Sequence, residues 1–171
     1  YDDERVQDTG SAYVFEKVNG VWKQAAKLTA SDGERYDRFG TAVTVFGDIV
    51  FVGADGDDHE QCSTGSVYAF RKRNGTWSHV QKLTASLGTG NGLFGCSVAV
   101  SRSTALIGAI SNRGAAFVFK RIDGVWTQTD KLTAADGGYD DAFGVSVALS
   151  DGVALVGASG DSDFHRSAGS A

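Results

Sequence analysis

The chain has 171 residues, of which 42% are apolar and 22% charged, with a formal net charge of −5. That length and apolar content suffice for one domain with a buried core, and the ordinary charged fraction excludes wholesale disorder. A negative balance with no basic stripe excludes a nucleic-acid backbone as partner, and no apolar run approaches the ~20 residues that span a bilayer.

In chain order, residues 1–9 read as a loop, followed by a predicted strand over 12–18, a turn at Asn19-Gly20 and a strand that carries Trp22 and ends in Lys27-Leu28-Thr29-Ala30. An acidic linker with Asp32 and Asp37 leads to Phe39-Gly40, a strand over 41–46, a tight turn at Gly47-Asp48 and a strand from 49 into Gly53-Ala54. The loop DGDDHEQCST then reaches Gly65, a strand over 67–73, the turn Asn74-Gly75 and a strand carrying Trp77. From there the order starts again. Phe94-Gly95, a strand over 96–100, a strand into Gly108-Ala109, the loop ISNR, a strand over 116–122, the turn Asp123-Gly124 and Trp126 follow in turn. A last copy opens at Phe143-Gly144 and reaches Gly157-Ala158.

Trp22, Trp77 and Trp126 are therefore 55 and 49 residues apart, and the shorter loop ISNR accounts for the whole difference. Self-similarity at such a period marks a repeat architecture, in which each unit is one supersecondary element stacked on its neighbours. Asn-Gly and Asp-Gly are hairpin signals, because both central residues of the favoured turn need φ > 0. The first three strands of each unit are apolar on both faces and must be covered on both sides. The fourth is more polar (Lys23, Gln24; Ser78, His79; Thr127, Gln128) and suits a wetted outer edge. Four-stranded antiparallel sheets covered on both faces and repeated radially describe the blades of a β-propeller. A β-solenoid, the competing repeat fold, has shorter coils and lacks internal Asn-Gly hairpins. The chain has no Pro, where average usage of about 5% would give roughly eight, as expected where each missing N–H costs a ladder bond.

The ordered set of Phe-Gly, Gly-Ala and Gly-x-x-aromatic resembles the FG-GAP repeat family, best known from the seven-bladed propeller of integrin α subunits and from many extracellular proteins. The resemblance covers essentially the whole chain. It implies an all-β fold with about three blades: a half blade at 1–30, blades at 39–85 and 94–134, and a half blade at 143–171. Propellers typically close with 4–8 blades. The expectation is therefore an excerpt of a longer chain, consistent with the absence of Met, or completion by a second copy. The integrin calcium loop lies between the first two strands of a blade. Here the corresponding turns hold at most one acid, Asp48 or Asp151, so calcium in that manner is not implied.

Calcium has other candidate ligands in the acids of the long loops: Asp2, Asp3 and Asp8; Asp55, Asp57 and Asp58; Asp161 and Asp163. Clustered carboxylates supply the oxygens that a hard cation takes, and Asp, Gly and Ser are equally the residues of plain turns on a wet rim. A second acidic loop precedes Phe-Gly in two copies, with Asp32 and Asp37, then Asp136, Asp140 and Asp141; the middle copy, SLGTGNG, has no acid. Gly90, Gly92 and Gly95 match G-x-G-x-x-G, but a strand follows instead of a helix, so no nucleotide site is read there. The tryptophans are expected to pack across their own hairpins. His59, His79 and His165 form no catalytic spacing. Cys62 and Cys96 fall on one propeller face on neighbouring blades and are candidates for a disulfide, and Asn74-Gly75-Thr76 is a glycosylation sequon at a hairpin tip. No catalytic constellation emerges. The expected function is a non-enzymatic extracellular or cell-surface module that binds protein or glycan through its rim loops, in adhesion or assembly. The alternative is an accessory or ligand-binding domain of a larger secreted enzyme.

Overall fold

The computed structural model describes residues 9–59, 62–85, 92–110 and 113–161, with the backbone alone at 58–59 and 62–63. Asp2, Asp3, Asp8, Asp163 and His165 lie outside these residues, as do the side chains of Asp58, His59 and Cys62. All regular structure among the described residues is β. The strands in chain order are β1 (Ala12–Val18), β2 (Val21–Leu28), β3 (Val43–Phe46), β4 (Ile49–Ala54), β5 (Asp58–His59), β6 (Cys62–Ser63), β7 (Ser66–Arg73) and β8 (Thr76–Leu83). They continue with β9 (Ser97–Ser101), β10 (Thr104–Ala109), β11 (Ala115–Ile122), β12 (Val125–Leu132), β13 (Phe143–Ser150) and β14 (Val153–Ala158).

These strands form two four-stranded antiparallel sheets, ordered β3-β4-β7-β8 and β12-β11-β10-β9, flanked by the half sheets β1-β2 and β13-β14. They are the predicted blades. The loop 55–64, expected to be irregular, carries the short ribbon β5-β6. The third-to-fourth-strand turns have both central residues at positive φ: Asn19 at 51° and Gly20 at 82°, Asn74 at 50° and Gly75 at 81°, Asp123 at 49° and Gly124 at 89°. In each blade the same one-residue bulge breaks the register of the last two strands, after Val14, Ala69 and Val118.

The core lies between the blades. Alternate residues of β4 point to opposite neighbours: Val50, Val52 and Ala54 join the cluster with Ala12 and Leu28 of the first half blade, and Ile49 and Phe51 join the cluster with Ile107 and Phe117 of the next blade. A period-2 strand with both faces buried is what a stacked sheet requires. The Phe-Gly phenylalanine packs on the aromatics of its own third strand. Phe39 lies edge-on to Tyr68 at 5.4 Å, and Phe94 edge-on to Phe117 at 5.7 Å.

The two glycine landmarks meet across the blade boundary. A Cβ on Gly53 would collide with the carbonyl oxygen of Gly95 in the next blade, and one on Gly108 with that of Gly144. Within a blade the Gly40 N–H donates to the Gly53 carbonyl and the Gly95 N–H to that of Gly108, both at 2.9 Å. Two of the tryptophans, expected from sequence to pack across their own hairpins, lie against the preceding blade: Trp77 against the cluster of Ala12 and Leu28, and Trp126 against that of Ile49 and Phe51. Trp126 stands edge-on to Phe51 at 4.9 Å, and its backbone N–H donates to Gln81 Oε1 at 2.9 Å. Trp22 is 65% exposed, against 4% for Trp126.

Candidate functional site

First strands begin, second strands end, third strands begin and fourth strands end at the same rim of each blade, so every variable loop is carried there. In the first complete blade the segment before Phe39 folds against the segment after Ala54. The Gly56 N–H donates to the Asp37 carbonyl at 3.1 Å, and Gly56 lies so close to the Tyr36 carbonyl that no Cβ would fit. The last half blade repeats this arrangement, with the Gly160 N–H donating to the Asp141 carbonyl at 2.9 Å. Tyr36 and Arg38 at φ 75° and 56°, and Asp140 and Ala142 at 68° and 55°, hold the same left-handed bends.

The acids divide by role. Asp37 and Asp141 are buried and turn inward to their own loops: Asp37 Oδ2 accepts the Glu34 N–H at 2.6 Å, and Asp141 Oδ2 accepts the Gly138 N–H. Burial, with the charges of Asp57 and Glu34 nearby, raises the Asp37 carboxyl above its ordinary range. Asp55 makes a close ion pair with Arg38, Nε to Oδ1 3.1 Å, without hydrogen-bond geometry.

Asp57 is the centre of a compact network. Its Oδ2 accepts the Tyr68 hydroxyl at 2.6 Å and lies 2.8 Å from Lys82 Nζ. Asp32 completes the set, taking the same hydroxyl at 2.9 Å and the same ammonium at 2.7 Å. Tyr68 and Lys82 are cross-strand partners on β7 and β8, and Nζ stands 5.1 Å from the ring centroid. Burial alone would lower Lys82, but the hydrogen bonds and charges of Asp32 and Asp57 outweigh it and hold the ammonium above its usual pKa. Burial likewise works to raise Asp32, and hydrogen bonds from Lys82 and Tyr68 outweigh it, so its carboxyl is lowered. The Tyr68 hydroxyl is pushed far up, first by burial and then by the two carboxylates it serves.

This donor set does not fit calcium. An ion reaching Asp57 would have to displace Nζ from between two carboxylates, and the Tyr68 hydroxyl already donates to Asp57 Oδ2. Among the described residues no group of three or more His, Cys, Asp or Glu is placed to hold a metal ion. Asp55 and Asp57 are thus engaged by Arg38, Tyr68 and Lys82, and Asp161, half-buried, donates its N–H to the Ala158 carbonyl at 3.4 Å.

Cys96 is a free thiol, half-buried, with Sγ 3.6 Å from the Gly144 carbonyl oxygen; burial pushes its pKa up to about 11. Cys62, its expected partner, has its side chain outside the described residues. Asn74 stands exposed at its turn, at the opposite end of the blade from the variable loops.

Two features of the rim were not singled out from sequence. Tyr36 and Tyr139 are exposed large aromatics, and each carries an arginine over its ring, Arg35 at 4.6 Å and Arg113 at 5.4 Å. The signal was there to read, as a Tyr-Asp pair shortly before Phe-Gly in both acidic linkers. The Lys82 network was signalled by Lys27, Lys82 and Lys131, each paired across strands with an aromatic: Tyr13, Tyr68 and Phe117.

Comparison with known families matches the FG-GAP repeat to residues 22–70, 77–119 and 126–171. The first two matched units start on the fourth strand of one blade and run into the third strand of the next, and the last starts on β12 and takes in β13 and β14, so the family repeat spans a blade boundary. No curated protein matches the chain.

Proposed function

The chain belongs to the FG-GAP repeat family, and on that premise we propose that it is a non-catalytic module of an extracellular or cell-surface protein, binding a protein or glycan through its variable rim. The observation that carries this reading is the pair of arginine-stacked tyrosines, Tyr36 with Arg35 and Tyr139 with Arg113, exposed on that rim. Tyrosine and arginine are the residue types that dominate binding energy at interfaces, and a stacked ring offers rigid amphipathic area to a sugar or a peptide. The repeating landmarks, by contrast, are consumed in packing blade on blade.

In the same reading the first complete blade needs no calcium, because Lys82 supplies the positive charge between Asp32 and Asp57. Melting of the chain is expected to be indifferent to added Ca²⁺ and to chelator, since a ligand of the native state would raise the midpoint by mass action. The binding reading is tested on a glycan array and a panel of extracellular-matrix proteins. Tyr36→Ala with Tyr139→Ala should abolish capture while leaving the melting temperature in place, whereas Asn74→Ala at the opposite end should leave capture intact. Equal loss from both ends would sink the assignment to this rim.

A further inference from the structure

The end of the blades opposite the variable rim is built from two kinds of tight turn, first to second strand and third to fourth. The two kinds lie side by side: the Lys72 N–H donates to the Asp48 carbonyl and the Arg121 N–H to that of Ser103, both at 2.8 Å. In the two complete blades this end gathers six cations, Arg71, Lys72, Arg73, Arg102, Lys120 and Arg121, against two acids, Asp48 and Asp123. Asp48 is taken by Arg71 at 2.6 Å, Glu16 of the first half blade reaches across to Lys72 at 2.7 Å, and Arg102 meets Asp151 in an exposed pair at 3.1 Å. Arg73 and Lys120 stand exposed, with no ion pair among the described residues. The rim carries the opposite excess, in the acids of its linkers and loops, so charge is separated from one end of the blades to the other.

Apolar side chains project between these cations. Val18 and Val21 flank the Asn19-Gly20 turn and are 44% and 59% exposed, and Phe46, just before Gly47, is 46% exposed. Ile122 and Val125 flank Asp123-Gly124 in the same way and are exposed as well. Val18 continues the face that Ala12 and Val14 turn to the blade β3-β4-β7-β8, and Val21 is its cross-strand partner. Phe46 is the partner of Ile49, which is buried against the following blade. All three therefore face complete blades and stay open because the turns reach past the blade interface. Single exposed apolar residues are ordinary. Apolar residues on projecting turns, with lysine and arginine around them, instead match what the headgroup boundary of a membrane accepts: apolar tips a few ångströms deep, and cations whose stems lie along apolar surface while their charges stay in water.

We infer that this end of the blades docks on an anionic phospholipid bilayer, with the apolar turn residues entering the headgroup boundary and the surrounding cations meeting the lipid phosphates and carboxylates. Attraction to an anionic leaflet strengthens with each Lys or Arg held near its surface. A sulfated polysaccharide would use the cations alone and give Val18, Val21 and Phe46 nothing to enter. Docking in this sense turns the variable rim away from the bilayer, and it does not rest on the binding reading of Tyr36 and Tyr139.

The test is co-sedimentation of the 171-residue chain with phosphatidylcholine vesicles, with and without phosphatidylserine, beside a heparin column. Capture is expected only on the phosphatidylserine vesicles and should weaken as salt is added. Arg73→Gln with Lys120→Gln should lower the affinity about fivefold for each cation, or about 25-fold together. Val18→Ser with Val21→Ser should lower it by about tenfold or more. All four side chains are exposed, so both double variants should melt with the parent. Tyr36→Ala with Tyr139→Ala, at the other end, should leave vesicle capture unchanged. Absence of capture on phosphatidylserine vesicles, equal capture on phosphatidylcholine alone, or capture that the serine variant leaves whole overturns the proposal. Retention on heparin without capture on vesicles assigns the cations to a sulfated polysaccharide and overturns it too.

Discussion

Tyr68 is the residue on which the rim of the first complete blade converges. Its hydroxyl donates to Asp57 and Asp32, and its ring lies beneath the ammonium that neutralises them. Tyr68→Phe keeps the ring and strips a donor from a buried carboxylate, an expected loss of about 1–3 kcal/mol in urea unfolding. The neighbouring acids titrate in opposite senses. The lowered pKa of Asp32 means that its contribution is complete above the ordinary carboxylate value of about 3.9 and is lost as pH falls through the lower folded value. Asp32→Asn should therefore depress the melting temperature at neutral pH, with the difference closing in strong acid. Asp37 is raised, so its ionised form costs stability above its folded pKa and the cost disappears as pH falls through that value. Asp37→Asn keeps an acceptor for the Glu34 N–H and should melt at or above the parent at pH 7. A clear drop there would mean that the charge itself holds the loop.

At the scale of the element, the defining dipeptides are the two sides of one contact. The Gly-Ala glycine of one blade lies against the Phe-Gly carbonyl of the next, so both strands can approach only where neither carries a Cβ. Gly53→Ala forces backbone against backbone in a packed interior, with an expected cost of about 1–3 kcal/mol as for other overpacked cores. Gly20→Ala makes a useful contrast: its turn stands in open space, and only the positive φ of 82° resists the side chain. That strain is expected to cost about 1–2 kcal/mol without disturbing the blade interface. Chemical denaturation of the two variants, with fluorescence of Trp126 as the probe of the interface, separates the cases. Interface loosening should be seen in Gly53→Ala alone.

For the whole molecule, the tryptophans report on packing between blades. Trp126→Ala removes a buried ring packed on Phe51 and should cost about 3–5 kcal/mol. Trp22→Ala removes a largely exposed ring and should cost little. Urea unfolding midpoints of the two variants beside the parent read this directly. The same contrast extends across the ends, where β1, β3 and β14 expose apolar residues that their counterparts bury.

The blades were legible in the sequence because their causes are local: Asn-Gly and Asp-Gly turns demand positive φ, and period-2 apolar runs demand two covered faces. The repeat itself placed Phe-Gly, Gly-Ala and Trp at equivalent points before any coordinate was known. What each landmark touches was decided only by the tertiary structure, because those contacts cross from one blade to the next. No spacing along the chain says that Trp126 rests on Phe51, or that Lys82 comes between Asp32 and Asp57, separated from it by 50 and 25 residues. Asp55 and Asp57, offered by their spacing as calcium ligands, stand in three dimensions beside Arg38, Tyr68 and Lys82.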